Sequence, residues 1–245
     1  MDPISITAAS GMRARMESLD LLANNIANAE TGGYKTDREF YSLYTSVDAL
    51  ESGSDDPAAL PVIERNYTDF SQASLRATSN PLDLGIQGRG FFAVDSPTGV
   101  AYTRNGSFQL TAGGKLVTGE GYAVRSASGQ PITLNPALPI QVAEDGSIIQ
   151  SGQSSGKLAV LDFTDQSSLV KQGNTLFNVA GTKNTPVAST AAVMQGRLES
   201  SNVGNSESVI RLVSVMRQFD MLQKATHIGQ SMTSKAIAEV AKVGS

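Results

Sequence analysis

PISITAASGMRARMESLDLLANNIANAETGG, residues 3–33, carries Met12, Met16, Leu19, Ala23 and Ile26 at intervals of four, three, four and three. That spacing puts five apolar side chains on one face of a helix, in the a/d pattern of a coiled-coil seam. Asp2 is placed to cap the first free amides, and Pro3 suits the first helical position, where its missing N–H costs nothing. Gly32-Gly33 supplies the positive φ that ends such a pattern. The predicted helix is about 25 residues, roughly 38 Å at 1.5 Å per residue.

The other end mirrors this one. Asn205 or Ser206 can cap, Glu207 suits a first turn, and Val209, Leu212, Val215, Met216, Phe219 and Leu222 share a face. Beyond Leu222 the stripe moves to Ile228, Met232 and Ala236, so this helix is expected to touch more than one neighbour. Two seams so far apart in sequence must meet each other or neighbouring chains to be buried.

Between them the period changes to two, in Gly90-Phe91-Phe92-Ala93-Val94, Lys115-Leu116-Val117 and Lys157-Leu158-Ala159-Val160-Leu161. Asn105-Gly106, Gly113-Gly114, Ser128-Gly129 and Asp145-Gly146 punctuate these short strands with residues that tolerate φ > 0. The expected class is α+β: long N- and C-terminal helices forming a coiled-coil domain, with an antiparallel β-rich middle domain. The expected boundaries are an N-terminal helix in 1–30, an extended connector in 31–79, a β-rich domain in 80–195, and a return segment with the C-terminal helix in 196–245. Arg38 to Leu50 could add a helical stretch, broken by Ser52-Gly53-Ser54-Asp55-Asp56-Pro57.

Composition narrows the chemistry. The chain of 245 residues has no cysteine, which removes disulfides, thiolate metal sites and a Cys nucleophile. A net charge of −4 with no clustered Lys/Arg stripe argues against nucleic acid. No run approaches the roughly 18 apolar residues of a membrane span, and the N-terminus does not read as a cleaved secretory signal. The single histidine, His227, has no second ligand at i+3 or i+4 and reads as a helix-surface residue. Gly85-Ile86-Gln87-Gly88-Arg89-Gly90 lacks the strand before and helix after that a phosphate loop needs, and reads as a turn. Asp55-Asp56, Asp83 with Asp95, and Glu144-Asp145 are not held across a cleft by any spacing, and no G-x-S-x-G elbow occurs. No catalytic, cofactor-binding or metal residue, no small-molecule substrate and no cofactor is predicted. Met12, Met16, Met216, Met221 and Met232 read as adaptable interface filler.

Leu22-Ala23-Asn24-Asn25-Ile26-Ala27-Asn28-Ala29-Glu30-Thr31-Gly32-Gly33-Tyr34-Lys35 resembles the N-terminal signature of the flagellar basal-body rod and hook proteins. Three further segments agree in order: residues 80–92 (NPLDLGIQGRGFF), 102–108 (YTRNGSF) and 195–203 (QGRLESSNV). The run Tyr67-Thr68-Asp69-Phe70-Ser71-Gln72 and the modest length look most like the proximal rod members. The resemblance implies a structural subunit that polymerises through its terminal helices into a tubular drive shaft and transmits torque. It implies copies of itself, other rod proteins and the flagellar export apparatus as partners, and a periplasmic rod location reached by type III export without a cleaved signal. The expected assembly residues are Met12, Met16, Leu19, Ala23, Asn24, Asn25, Ile26 and Asn28 at one end and Leu212, Val215, Met216, Phe219 and Leu222 at the other. The three asparagines are poor helix-interior residues, expected to pair with other chains or with the turn. Tyr102, Arg104 and Phe108 are expected as core and rim of a hairpin with Asn105-Gly106 near its turn. The alternative is an extracytoplasmic carbohydrate-binding or adhesion module, disfavoured by 6% aromatics and no Trp.

Overall fold

The computed structural model describes residues 3–45, 59–173, 175–181 and 184–243. The chain divides into two compact units: Met1–Ala27, Asp37–Tyr67 and Gly204–Ser245 form unit 1, and Asn28–Thr36 with Thr68–Val203 form unit 2. Unit 1 contains α1, Pro3–Ala27, and α2, Asn205–Val243, together with a two-stranded sheet of Asp37–Thr45 and Ala59–Thr68. The first strand replaces the helical option for Arg38 to Leu50 as far as Thr45; the remainder, with the Ser52–Pro57 break, lies outside the described residues.

The α+β class stands, but the coiled-coil domain expected from the terminal seams does not form. Each end contributes a single helix, and α1 turns inward Gly11, Ala14, Ser18, Leu22 and Asn25, of which all but Ala14 stand one position before a residue of the predicted seam. One position is about 100° of rotation, enough to carry a stripe off a contact face. The reason is size and polarity. Gly11 lets α2 approach until an added Cβ would lie 3.3 Å from Leu222 Cδ1. Ser18 Oγ donates to Glu39 Oε2 at 2.8 Å, and Asn25 exchanges two bonds with the Asp37 backbone, at 2.8 and 3.1 Å. Small residues against α2 and polar ones against a strand decide the orientation, where an apolar seam would have placed Met16 inside; Met16 is instead 55% exposed.

Unit 2 is built on a nine-stranded antiparallel sheet. Its path runs Leu169–Lys171, Leu176–Val179, Gly99–Thr103, Phe91–Ser96, Ala123–Val124, Leu116–Thr118 and Phe108–Leu110. Val160–Asp162 also pairs with Phe91–Ser96 and carries Val187–Ala188. Smaller sheets join Gln141–Val142, Ser147–Gln150 and Gln153–Lys157, then Ala192–Gln195 with Leu84–Gln87, and Arg197–Glu199 with Leu75–Ala77. The run Phe91-Phe92-Ala93-Val94 is continuously apolar because the strand is buried on both faces. Phe92 and Val94 enter one core with Leu84, Ile86 and Phe108; Phe91 and Ala93 enter a second with Tyr102, Phe163 and Phe177. In the second core Phe91 meets Phe70 and Phe177 edge-on at 5.5 and 5.8 Å.

Asn105-Gly106 does not turn a hairpin. Gly99–Thr103 and Phe108–Leu110 are separated in the sheet by three other strands, and Asn105 Oδ1 instead accepts from Ser107 N at 3.1 Å in an Asx turn. Asp145-Gly146 does turn the chain: Asp145 accepts from Ser147 N at 3.0 Å, Ser147 Oγ at 2.8 Å and Lys157 Nζ at 3.1 Å. Those bonds, the Ser147 amide first, hold its carboxyl down at about 2. A folded value below the unfolded one means the bonds stabilise fully above about pH 4 and are lost as the pH falls toward 2. Asp165, bonded to Ser167, is lowered in the same direction. The fall in melting temperature between pH 4 and 2 is therefore expected to be smaller in Asp145→Asn than in the parent, and equal slopes would contradict this origin.

Candidate assembly interface

α2 is 39 residues long, roughly 58 Å. None of its described side chains, from Asn205 to Lys235, is buried. Leu212, Val215, Phe219, Leu222, Thr226 and Gly229 form a half-buried stripe at intervals of three and four. Val209, Val213 and Met216 lie exposed on one flank, and Ile210, Met221, Ile228 and Met232 on the other. Most helical stability in proteins comes from burying a face, and a helix that is apolar around most of its circumference needs cover on more than one side.

Unit 2 holds the other concentration of chemistry. Lys35, Arg104 and Glu199 have side chains 0%, 2% and 0% exposed, with Lys35 Nζ 2.6 Å from Glu199 Oε1 and Arg104 Nη1 3.1 Å from Glu199 Oε2. Lys35 Nζ also donates to Ser71 O at 2.7 Å, Arg104 Nη2 to Gly88 O at 2.8 Å, and Ala73 N to Glu199 Oε1 at 3.0 Å. Arg104 stacks over Phe91, 5.3 Å from ring centroid to guanidinium carbon, while its buried Nε has no hydrogen-bond partner among the described residues. Two cations share one carboxylate. Burial pushes Lys35 and Arg104 below their ordinary values, against the opposing pull of Glu199. Backbone contact is equally close: Gly33, at φ +70°, donates to Glu199 O at 2.7 Å, and a Cβ there would meet Asn105 N at 2.3 Å. Gly33 thus serves close approach, and the helix has already ended at Ala27.

This arrangement joins 31–35, 102–106 and 195–199 at one place, so three of the quoted segments are parts of a single structural feature. Comparison with known proteins matches the same regions: a flagella basal body rod protein model over residues 7–35, a flagellar hook protein FlgE/F/G D1 domain model over 85–150, and a flagellar basal body rod FlgEFG protein C-terminal model over 194–239. The flagellar basal-body rod protein FlgF of Caulobacter vibrioides is 30% identical over 245 residues, 99% of this chain and 100% of that protein. The chain belongs to the flagellar basal-body rod protein family. FlgF of Mesorhizobium japonicum is 34% identical over 222 residues, 87% of each chain. The rod protein FlgG of Bacillus subtilis is 30% identical over 239 residues, 88% of this chain and 90% of that one.

In this rod protein the sequence-predicted assembly residues fall in three groups. Leu212, Val215, Phe219 and Leu222 are half-buried on the stripe of α2, while Met12, Leu19 and Ile26 are half-buried on α1. Met16, Met216, Ala23 and Asn24 are exposed. Asn25 is buried on the Asp37 backbone, and Asn28 accepts from Thr31 through both its backbone and side-chain oxygens, at 3.1 and 3.3 Å. What sequence reasoning missed is the buried charge cluster. Lys35, Arg104 and Glu199 all stand in the quoted segments, but so do Glu30 and Arg197, and the 164-residue separation of Lys35 from Glu199 gave no reason to join them.

Among the described residues no group of His, Cys, Asp or Glu could hold a metal ion, and no helix is long and apolar enough to cross a membrane. A cavity of about 640 Å³ in unit 2 has Arg125, Asp145 and Lys157 on its wall. All three are already paired, Arg125 with Asp95 and Gly129 O, and Lys157 with Asp145. His227 is exposed on α2.

Proposed function

We propose that this chain is a non-catalytic subunit that polymerises through α1 and α2, with copies of itself and other rod proteins, into the tubular drive shaft of the flagellar basal body. The observation that carries this is the bare α2: seven large apolar side chains exposed on two flanks of one helix, a surface that only further chains would cover. Heterologous contacts of this kind extend without limit until another component stops them. Under this reading Met12, Met16, Leu19, Ala23, Asn24, Ile26 and Met216 face neighbouring chains, and Leu212, Val215, Phe219 and Leu222 hold α2 against α1. The subunit reaches a periplasmic rod through the flagellar export apparatus without a cleaved signal. The run Tyr67–Gln72 supports a place with the proximal members.

Met216→Asp separates the two burdens. Met216 is 52% exposed in the single chain, so the substitution is expected to change monomer stability by no more than about 0.5 kcal/mol. In the assembled rod it would bury an unpaired carboxylate at every copy, at several kcal/mol each. Expected are a normally folded, exported protein, no rod by electron microscopy, and no swimming. Normal rods from this variant would refute the assignment of that flank to assembly.

A further inference from the structure

The chain enters or leaves unit 2 at Asn28, Thr36, Thr68 and Val203, and three of these four points are tied together by one side chain. Asn202 Oδ1 accepts from Thr36 N at 2.7 Å, its Nδ2 donates to Asp69 O at 2.7 Å, and its backbone N donates to Tyr34 O at 3.4 Å. Asp69 N closes the ring by donating to Thr36 O at 2.9 Å. Behind it, Gly33 donates to Glu199 O and the Lys35–Glu199 ion pair ties the same two segments through their side chains. Lys171 adds a bond to Lys35 O and lies 4.1 Å over the Tyr34 ring.

The direction of the paired segments matters. Gly33 bonds to residue 199, and Tyr34 and Thr36 bond to residue 202, so segments 33–36 and 199–202 run the same way. A force that enters at residue 28 and leaves at residue 203 pulls the start of one segment against the end of the other. Every bond between them is then loaded together along the segment axis, in shear, and none can be peeled first. The Lys35–Glu199 pair sits within the loaded stretch and, fully buried, is shielded from the water that would replace its bonds.

We propose that Asn202 and the Lys35–Glu199 pair form a shear clamp, through which unit 2 bears mechanical load arriving along the chain from both terminal segments. This rests on the bonds within unit 2 and not on the rod reading.

The test is single-molecule unfolding of the full chain, which has no cysteine, so that introduced thiols are unique handles. Handles at Glu30→Cys and Gly204→Cys, both exposed, load the clamp. Handles at Ala112→Cys and Ala127→Cys, exposed turn residues, load the sheet away from it. Forced unfolding reads the unfolding rate. Asn202→Ala is expected to speed rupture at fixed force roughly tenfold or more in the first geometry, as for the loss of a hydrogen-bond hub, and by less than roughly twofold in the second. An equal acceleration in both geometries would mark Asn202 as a general stabiliser and overturn the clamp, as would no acceleration in the first. If Asn202→Ala does not fold, the parent decides: rupture through 30 and 204 must need more force than through 112 and 127, and the reverse order overturns the proposal.

Discussion

Glu199→Ala is expected to cost unit 2 about 3–5 kcal/mol, because it leaves two cations buried with no anion between them. Lys35→Met should cost far less, roughly 2 kcal/mol or under, since it leaves a one-to-one pair of Arg104 and Glu199 and removes an excess positive charge from a dry site. The asymmetry is the informative part. Urea titration followed by near-ultraviolet circular dichroism suits the case, because Phe91, Phe163 and Tyr102 report the core beside the cluster. Equal losses in the two variants would show that Glu199 does not neutralise both cations.

The second severe change is Gly106→Ala. A Cβ at residue 106 would lie 1.7 Å from Leu84 O and 3.2 Å from the Phe92 ring. Leu84 cannot simply retreat, since its N–H donates to Gly106 O at 3.0 Å and its side chain is buried in the first core. One methyl group must therefore push strand Leu84–Gln87 away from the segment to which it is bonded. The overlap is with backbone, not the end of a side chain, so the expected loss is roughly 3 kcal/mol or more, at the upper end for overpacking. Insoluble protein, or a melting temperature lower by about 6–12 °C at 2–4 °C per kcal/mol for a unit of this size, is the expected result. A variant within one degree of the parent would contradict the contact.

Periodicity made the two helices legible, and the φ > 0 residues marked turns such as Asp145-Gly146. Neither could orient the helices. The inward face of α1 is chosen by what is small at Gly11, Ala14 and Ser18 and by what Asn25 can bond, whereas the spacing of large apolar side chains points to Met16, which lies outside. Asn105-Gly106 has the composition of a two-residue hairpin turn, yet three other strands lie between those on either side of it, because the order in a sheet is set by packing beyond any local window. The candidate assembly residues on α2 were legible as apolar positions, but their division into a half-buried stripe and two bare flanks needs the partner helix. Lys35 and Glu199 were visible only as members of quoted segments, and Arg104 only as a member of one and as part of an expected hairpin. A buried charge has no local signature, since the same lysine in a solvated loop would read identically.

The 164-residue separation of Lys35 and Glu199 is also an interval of time. A ribosome adding roughly 5–20 residues per second completes that interval in roughly 8–33 seconds. Lys35 waits through all of it, and Arg104 through the last 95 residues of it, for their common counter-charge, so the sheet around them remains unfinished however well its strands pair. Glu199 arrives just ahead of α2. The last step in closing unit 2 therefore coincides with the appearance of the helix whose surface is most adhesive, and an incomplete chain is left open, without the ion pair that would let it pass for a finished one.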